Sequence, residues 1–511
     1  MSLLGLDIGI SGCKAVAFSP AGGMLAQSYR EYPLYQPQPG WLELNPAEVW
    51  AAVKTVICEV TDALAGTGTG TETVPGEPVQ ALGISTHGES VVPLDEQGRP
   101  LCGFITSIDT RASQQAHWWA EQLGRERIFA ITGMPLHPMY TVNKLMWLRE
   151  YDPATFRAAQ RFVCMADFIF TRLGLPPTMD YSLAGRTMAF DVSSLTWSAE
   201  ILALAHLDER QLSRTAPAGT VVGEIAPDVA RELGLARGAV AVTGGHDQPS
   251  GGLGCGAIAE GIVMDSTGTV ECLGVASPKL TLDRSLLDSN LPIAAHTVPG
   301  MYFVLGWSSA GGALLRWFRD NFGEAEREEA ARTGQSVYDL ILAQAAPGPS
   351  PVLIQPHFVG SGTPQMDPAS KGAILGLDLS TTRAQIIKGI LDGVTYEVKL
   401  SMDAMEAAGI AVHELRAFGG GSRSKLWLQT KADILGKRVV AMDVTEAPCL
   451  GVAIQAGVAT GVFPSVTAGV AQMLRPGHPF EPDMTMHARY LERMALFEQI
   501  YPALKELNHQ M

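Results

Sequence analysis

Short apolar runs separated by turn residues open the chain, a pattern typical of β-strands. Residues 3–7 and 15–18 are apolar runs, and residues 19–23 are Ser-Pro-Ala-Gly-Gly, which favours a tight turn. A further apolar run over 79–85 predicts a buried strand. We therefore expect the chain to begin as a β-meander.

Apolar residues recur at spacings of three and four between residues 46 and 64, which predicts a helix. Asn45 and Pro46 stand where a helix cap and first turn are expected. Residues 66–76 are rich in Gly and Thr and predict a flexible surface loop. Strand and helix patterns alternate through the rest of the chain, which indicates an α/β fold with mixed or parallel sheets.

The middle of the chain repeats the pattern of its opening. An apolar run over 261–265 ends in an aspartate, a Ser-Thr-Gly-Thr turn follows at 266–269, and 270–276 is again strand-like. The opening has the same order of strand, aspartate, small-residue turn and second strand. We infer two related domains, covering residues 1–246 and 247–511.

Composition is that of a globular protein. The chain has 511 residues, of which 46% are hydrophobic and 17% charged, values that exclude a disordered or fibrous protein. A net charge of -15 argues against a surface that neutralises nucleic-acid phosphates or anionic lipid. Seven dispersed cysteines without a CxxC pair predict reduced thiols. With neither a signal-peptide pattern nor a long uncharged apolar run, we expect a cytoplasmic protein that binds no nucleic acid and no membrane.

Two turns of small residues are suited to phosphate, because backbone N–H groups there can approach an anion closely. The first turn, residues 7–12, is followed by Lys14, whose ammonium would lie near the phosphates while Asp7 faces a hydrated Mg²⁺. The second turn offers the N–H of Gly268 and the hydroxyl of Thr269. Either turn alone is more often an ordinary hairpin, but their matching positions favour a phosphate site.

Asp247 is an acid among small and neutral residues, just after the apolar run 239–242. A carboxylate at the end of a strand suits a base that orients a hydroxyl for in-line phosphoryl transfer. A helix cap explains the same position equally well.

Three glycines at 419–421 precede a predicted amphipathic helix over 425–435. Such a run would let adenine or ribose lie against the backbone, although a purely structural turn is the commoner outcome. Polar residues in 86–90 and 107–111 could hydrogen-bond a polyhydroxylated substrate, but loop charges usually have no specific role.

Taken together, these segments resemble the FGGY family of carbohydrate kinases over nearly the whole chain. Residues 139–148 match the first family signature and residues 372–392 the second. Tyr151 and Gly389 depart from the residues that are usual at those positions. The resemblance implies two actin-like, ribonuclease-H-like domains around a cleft that closes on binding, with ATP and Mg²⁺ as cofactors.

The resemblance also implies the roles of individual residues. Asp247 would be the catalytic base, and Asp7 would bind the metal through water. Ile10 replaces a threonine that is common in relatives. The phosphates and nucleotide would contact Gly9, Ser11, Gly12, Lys14, Gly268, Thr269, Gly311, Gly419, Gly420 and Gly421. The sugar would contact His87, Gly88, Glu89, Asp109, Met139, Asp247 and Gln248.

Glycerol kinases carry Arg and Tyr at the positions of Gly88 and Met139, so glycerol is not the expected substrate. Xylulokinases have Met-His-Gly where this chain has Thr-His-Gly at 86–88. The resemblance therefore implies phosphorylation of D-xylulose to D-xylulose 5-phosphate. The alternatives are a kinase for ribulose, fuculose, erythritol or gluconate, a sugar-independent actin-like ATPase, or a sugar sensor without catalytic activity. Homodimers are common among relatives, so a homodimer is compatible with the resemblance.

Overall fold

The computed structural model describes residues 2–66 and 78–511, so the loop expected over 66–76 lies, apart from its first residue, outside the described residues. The described chain is organised around two large β-sheets. The first sheet contains β1 (Ser2–Ile8), β2 (Gly12–Phe18), β3 (Met24–Glu31), β4 (Val79–Thr86), β5 (Val221–Glu224) and β6 (Val240–His246). The second contains β7 (Gly261–Thr267), β8 (Glu271–Ser277), β9 (Ile293–Ala295), β10 (Tyr302–Ser308), β11 (Val412–Phe418), β12 (Arg438–Met442) and β13 (Pro476–Phe480).

Both sheets have the same topology around their first strand. The strand order is β5-β6-β4-β1-β2-β3 in the first sheet and β9-β10-β8-β7-β11-β12-β13 in the second. β1 runs antiparallel to β2 and parallel to β4, as β7 runs antiparallel to β8 and parallel to β11. This duplication is the mixed α/β, actin-like arrangement that the resemblance implies.

Helices cover the sheets and connect their strands. Those used below are α1 (Pro46–Leu64), α2 (Thr141–Tyr151), α3 (Tyr181–Gly185), α4 (Asp247–Gly254), α5 (Gly312–Phe322), α6 (Arg383–Ala407), α7 (Lys425–Leu435) and α8 (Ala447–Ala459). Other helices span Ser113–Gln122, Arg125–Thr132, Pro153–Ala158, Met165–Arg172, Ala199–Ala205, Pro227–Glu232, Arg284–Asp288, Glu324–Thr333, Val337–Leu342, Val466–Met473, Met484–Phe497 and Ile500–Asn508. Among the described residues, no helix is both long and apolar enough to cross a membrane.

The remaining strands form small sheets beside the two large ones. One sheet contains Glu43–Leu44, Val91–Leu94, Phe104–Ile105 and Arg161–Cys164. Three strand pairs join Thr178–Asp180 to Arg214–Ala216, Phe190–Asp191 to Thr196–Trp197, and Leu353–Gln355 to Ala373–Leu375.

Helix α8 comes late in the sequence but packs against the first sheet and against α4. Its apolar side chains, including Leu450, share a core with Leu3 and other residues of the first sheet. Two glycines allow this close approach. A Cβ at Gly5 would lie 2.0 Å from the carbonyl oxygen of Cys449, and one at Gly254 would lie 1.8 Å from that of Ala447. The second half of the chain therefore packs against the first sheet through α4 and α8.

Several local predictions are confirmed. The helices predicted over 46–64 and 425–435 have those bounds, and the Asn45 side chain accepts a hydrogen bond from the N–H of Ala47 as a cap. The strands predicted over 3–7 and 79–85 are present and extend slightly further.

Candidate active site

Asp7 and Asp247 lie at the same edge of the first sheet. Asp7 is near the end of β1, and Asp247 begins α4 directly after β6. Because β1, β4 and β6 are parallel, their carboxyl ends meet at one edge. The pKa of Asp247 is raised to about 7 by burial, and then by the negative charges of Asp7 and Glu89. These three carboxylates therefore interact across one site.

Asp247 is not a helix cap. The cap position is His246, and it makes no side-chain cap hydrogen bond. Asp247 Oδ1 is buried and has no hydrogen-bond partner among the described residues. His246 Nε2 lies 3.2 Å from this oxygen, but burial lowers the pKa of His246 well below its usual range, so the imidazole is neutral and the contact is not an ion pair. The Asp247 side chain is 27% exposed, so a ligand can reach its carboxylate.

Asp7 Oδ1 is a second buried acceptor without a partner in the described chain. The pKa of Asp7 is raised to about 6 by burial, against the opposing effect of a Ser85 hydrogen bond and the Lys14 charge. Two neighbouring carboxylates with free oxygens fit a hydrated Mg²⁺, which takes oxygen ligands and retains several waters.

The first turn is closed by its own backbone. The N–H of Gly9 donates to the carbonyl oxygen of Gly12 at 2.9 Å, and the Tyr32 hydroxyl donates to the carbonyl oxygens of both glycines. Ser11 is exposed at the tip. A Cβ at Gly12 would lie 2.5 Å from the carbonyl oxygen of Arg30, so the adjacent strand alone explains that glycine. Sequence reasoning missed Tyr32, which no local pattern marks.

Lys14 lies beside the first turn, but its ammonium is already paired. Lys14 Nζ donates to Glu446 Oε2 at 2.5 Å, and both side chains are partly exposed. To contact a phosphate, the Lys14 ammonium must therefore either leave Glu446 or bind Glu446 and the phosphate together.

The second turn lies on the N-terminus of α5. The N–H of Gly311 donates to the carbonyl oxygen of Thr269 at 3.0 Å, and the N–H of Gly312 donates to that of Gly268 at 2.8 Å. The structure thus brings Gly268, Thr269 and Gly311 together at the N-terminus of α5, where the carbonyl oxygens of the turn accept the first N–H groups of the helix.

The three-glycine segment packs against the same turn. Gly419 has a φ of +90°, and a Cβ there would lie 2.7 Å from the carbonyl oxygen of Thr267. A Cβ at Gly421 would lie 2.1 Å from the Thr267 side chain, whereas Gly420 faces open space. Close packing on Thr267 therefore explains two of the glycines, and Gly420 leaves room for a ligand.

A buried charge cluster supports the second turn. Lys431 Nζ, from α7, donates to Asp265 Oδ2 at 2.6 Å, to Thr267 Oγ1 at 2.7 Å and to Glu271. Burial raises the pKa of Glu271 well above its usual range. Sequence reasoning did not select this cluster, although Asp265 occupies the same place in β7 as Asp7 does in β1.

Glu89 has a left-handed backbone, with a φ of 67°. Its carbonyl oxygen accepts hydrogen bonds from Lys144 Nζ and Thr141 Oγ1, both at 3.0 Å. Lys144 Nζ also donates to the carbonyl oxygen of Met139 at 2.7 Å. Burial lowers the pKa of Lys144 to about 8. One buried ammonium in α2 thus connects Glu89 and Met139, two of the predicted sugar contacts.

His87 is close to the carboxylates but uses both ring nitrogens internally. Nδ1 lies 3.0 Å from the carbonyl oxygen of Ile8, and Nε2 lies 2.6 Å from Ser90 Oγ. Burial lowers the pKa of His87 to about 4, so the ring is neutral near pH 7. A Cβ at Gly88 would lie 3.1 Å from atoms of Arg186 and His246, which places this glycine in close packing. Gln248 adjoins Asp247 and hydrogen-bonds its carboxylate.

Asp109 does not offer its carboxylate to this site, in contrast to the expected sugar contact. Its side chain has no exposed surface. The oxygens accept from the Arg111 guanidinium at 2.8 to 3.0 Å and from the N–H of Leu42 at 2.6 Å. Arg111 in turn lies 4.1 Å from the centre of the Trp41 ring. Arg111 and Leu42 therefore use the hydrogen-bonding capacity of the Asp109 carboxylate, and Asp109 holds these two residues in place.

Arg186 was not selected from the sequence, since an arginine in a loop carries no local signal. It follows α3, and its Nε donates to Glu89 Oε1. The guanidinium lies over the Tyr140 ring at 5.3 Å. Only 8% of its side-chain surface is exposed. A buried cation thus joins the group of three carboxylates.

Comparisons with known proteins agree with this geometry. The model of the FGGY family of carbohydrate kinases, N-terminal domain, matches residues 2–254, and that of its C-terminal domain matches residues 263–460. The chain is 30% identical to a gluconokinase of Bacillus licheniformis, over 98% of this chain and 96% of the relative. It is 27% identical to a xylulose kinase of Staphylococcus epidermidis, over 99% and 97% of the two chains.

A solved structure of xylulose kinase from Rhodospirillum rubrum is also similar. It is 26% identical, with a TM-score of 0.87, and all of both chains is covered. The family models, the full-length relatives and the duplicated sheets agree with one another. The chain belongs to the FGGY family of carbohydrate kinases.

Proposed function

We propose that the protein transfers the γ-phosphoryl group of ATP to a hydroxyl of a sugar, with D-xylulose as the first candidate and D-xylulose 5-phosphate as the product. The observation that carries this proposal is the partly exposed carboxylate of Asp247 at the shared edge of β1, β4 and β6. We assign residues 1–246 to the sugar-binding domain and 247–511 to the nucleotide-binding domain.

In the proposed mechanism, Asp247 accepts the proton of the attacking hydroxyl. Its raised pKa of about 7 suits a general base that works near neutral pH. The oxygen of that hydroxyl forms a bond to the γ-phosphorus as the bond to the leaving ADP breaks. Gly9, Ser11, Gly12 and Lys14 would hold phosphate from one side, and Gly268 and Thr269 from the other.

The nucleotide would lie beside Gly311 and Gly419 to Gly421. Mg²⁺, held through water by Asp7, would offset the negative charge of the phosphates. His87, Gly88, Glu89, Met139 and Gln248 would surround the sugar.

Gluconate is the second candidate substrate. The chain is 29% and 30% identical to two gluconokinases and 27% identical to xylulose kinases, so overall similarity does not separate these substrates. Glycerol kinases are 28% and 30% identical, which adds a third class of acceptor to be measured.

The first test is sugar-dependent ADP release by the purified protein with D-xylulose, ribulose, fuculose, erythritol, gluconate and glycerol. We expect release only with an acceptor, and Asp247→Asn should reduce kcat by roughly two to four orders of magnitude while ATP affinity is retained. Asp228→Asn is a matched control, because Asp228 is an exposed acid in the first turn of another helix. Near-normal kcat in Asp247→Asn, or ADP release independent of any acceptor, would contradict the proposal.

A further inference from the structure

Arg186 and Glu89 form an ion pair beside the proposed base. Arg186 Nε donates to Glu89 Oε1, and Nη2 lies within ion-pair distance of the same oxygen. The two side chains are 8% and 3% exposed. The Glu89 backbone is held from behind by Lys144 and Thr141. The pair is therefore ordered before any ligand arrives.

The guanidinium retains hydrogen-bonding capacity. Nη1 lies 3.8 Å from Met134 Sδ, and Nη2 lies 3.8 Å from Met139 Sδ in addition to its approach to Glu89 Oε1. Thioether sulfur is a weak acceptor, so an oxygen ligand would improve the hydrogen bonding of the guanidinium. Met139 is also one of the predicted sugar contacts.

The charges around this pair are predominantly negative. Glu89, Asp7 and Asp247 are three interacting carboxylates, whereas Arg186 is the cation that contacts Glu89 directly. The ammonium of Lys144 is fully buried behind the site and bound to backbone carbonyls. The ammonium of Lys14 is paired with its own carboxylate, as described above.

We propose that the Arg186–Glu89 pair determines substrate class, by binding neighbouring hydroxyls of a neutral polyhydroxy compound and disfavouring a sugar acid. This inference rests on the proposed kinase function and selects among its substrates. A hydroxyl both donates and accepts, so one hydroxyl can accept from Arg186 while its neighbour donates to Glu89. A carboxylate only accepts: it could accept from Arg186, but it has no proton to donate to Glu89 and would lie against the negative charge of that side chain.

The test compares kcat/KM for gluconate with kcat/KM for the best neutral acceptor in the ADP-release screen. We expect the wild type to prefer the neutral acceptor by at least about tenfold, since hydrogen bonds to charged groups typically contribute that much. Arg186→Met should lower kcat/KM for the neutral acceptor by about tenfold to a hundredfold. Arg186→Lys should recover only part of this, because it restores the charge but not the fork of donors.

Glu89→Gln is the decisive variant, since it keeps the shape of the side chain and removes its charge. It should raise the ratio of gluconate to neutral kcat/KM by at least about tenfold, because Arg186 is then free to pair with a carboxylate. Melting temperatures of all variants check that they are folded. An unchanged ratio in a folded Glu89→Gln protein, or a wild type that prefers gluconate, would overturn the inference while leaving the kinase function intact.

Calorimetric binding of D-xylulose and of gluconate without ATP separates the two proposals. If no acceptor supports ADP release but D-xylulose binds more tightly than gluconate, the kinase function fails and the inference on substrate class stands. If neither compound binds and no acceptor of the screen supports ADP release, both proposals are overturned.

Discussion

Asp247 shows how a residue's place in the fold determines its chemistry. Burial is the largest cause of the rise of its pKa to about 7, and the negative charges of Asp7 and Glu89 contribute to the same rise. The local pattern made Asp247 a candidate base or a helix cap, and the family resemblance favoured the base. The sequence was not sufficient to select Arg186, whose role depends on a contact with Glu89 that is 97 positions away.

The raised pKa predicts a pH dependence. Below about pH 7 Asp247 is protonated and cannot accept the proton of the acceptor hydroxyl, so kcat/KM should rise as pH increases through about 7 and then level off. The measurement is kcat/KM for the best acceptor between about pH 5.5 and pH 9. In Glu89→Gln the rise should move to lower pH, because a negative charge that raises the pKa of Asp247 has been removed. A profile without this rise would contradict the role of Asp247.

At the scale of an element, helix α2 also has tertiary contacts that the sequence does not reveal. Its sequence matches a family signature, so its presence was expected, but the signature does not reveal what Lys144 contacts. The structure shows its ammonium on the carbonyl oxygens of Glu89 and Met139. Similarly, the glycines at 419–421 predicted that adenine or ribose could lie against the backbone. The neighbour of Gly419 and Gly421 in the structure is Thr267 on another strand. Such partners depend on tertiary packing, which local patterns do not encode.

We therefore expect Lys144 to position the sugar contacts and not the nucleotide contacts. Lys144→Met removes both hydrogen bonds and should raise KM for the acceptor by about tenfold or more, with KM for ATP nearly unchanged. Steady-state kinetics with each substrate varied in turn measures the difference. Lys54→Met is the control, since Lys54 forms an exposed ion pair with Glu232. An equal rise in both KM values would indicate a general structural effect instead.

At the scale of the whole molecule, the duplicated topology gives two related aspartates different surroundings. Asp7 is partly exposed at the site edge, whereas Asp265 is fully buried and its Oδ2 accepts from Lys431. The repeat of strand, aspartate and turn was visible in the sequence. The different surroundings were not, because Lys431 and Glu446 reach the two turns from distant helices.

The cluster at Asp265 predicts two unequal substitutions. Lys431→Met leaves buried carboxyl groups without their cation and should destabilise the protein by about 3–5 kcal/mol. Glu271→Gln should destabilise the protein less than Lys431→Met, because the amide oxygen can still accept from Lys431 while Asp265 remains bound to the ammonium. Thermal and urea denaturation of both variants gives the comparison. A larger effect of Glu271→Gln than of Lys431→Met would contradict this expectation.

Helix α8 places a constraint on biosynthesis. The face of the first sheet that it covers is apolar, and its residues, 447–459, leave the ribosome long after β1 and β4. A nascent chain that ends before α8 would therefore expose the apolar face of the first sheet during most of translation. Such exposure favours aggregation or chaperone binding. Residues 1–246 expressed alone should also aggregate or bind chaperones, because this fragment lacks the helix α8 that covers the first sheet.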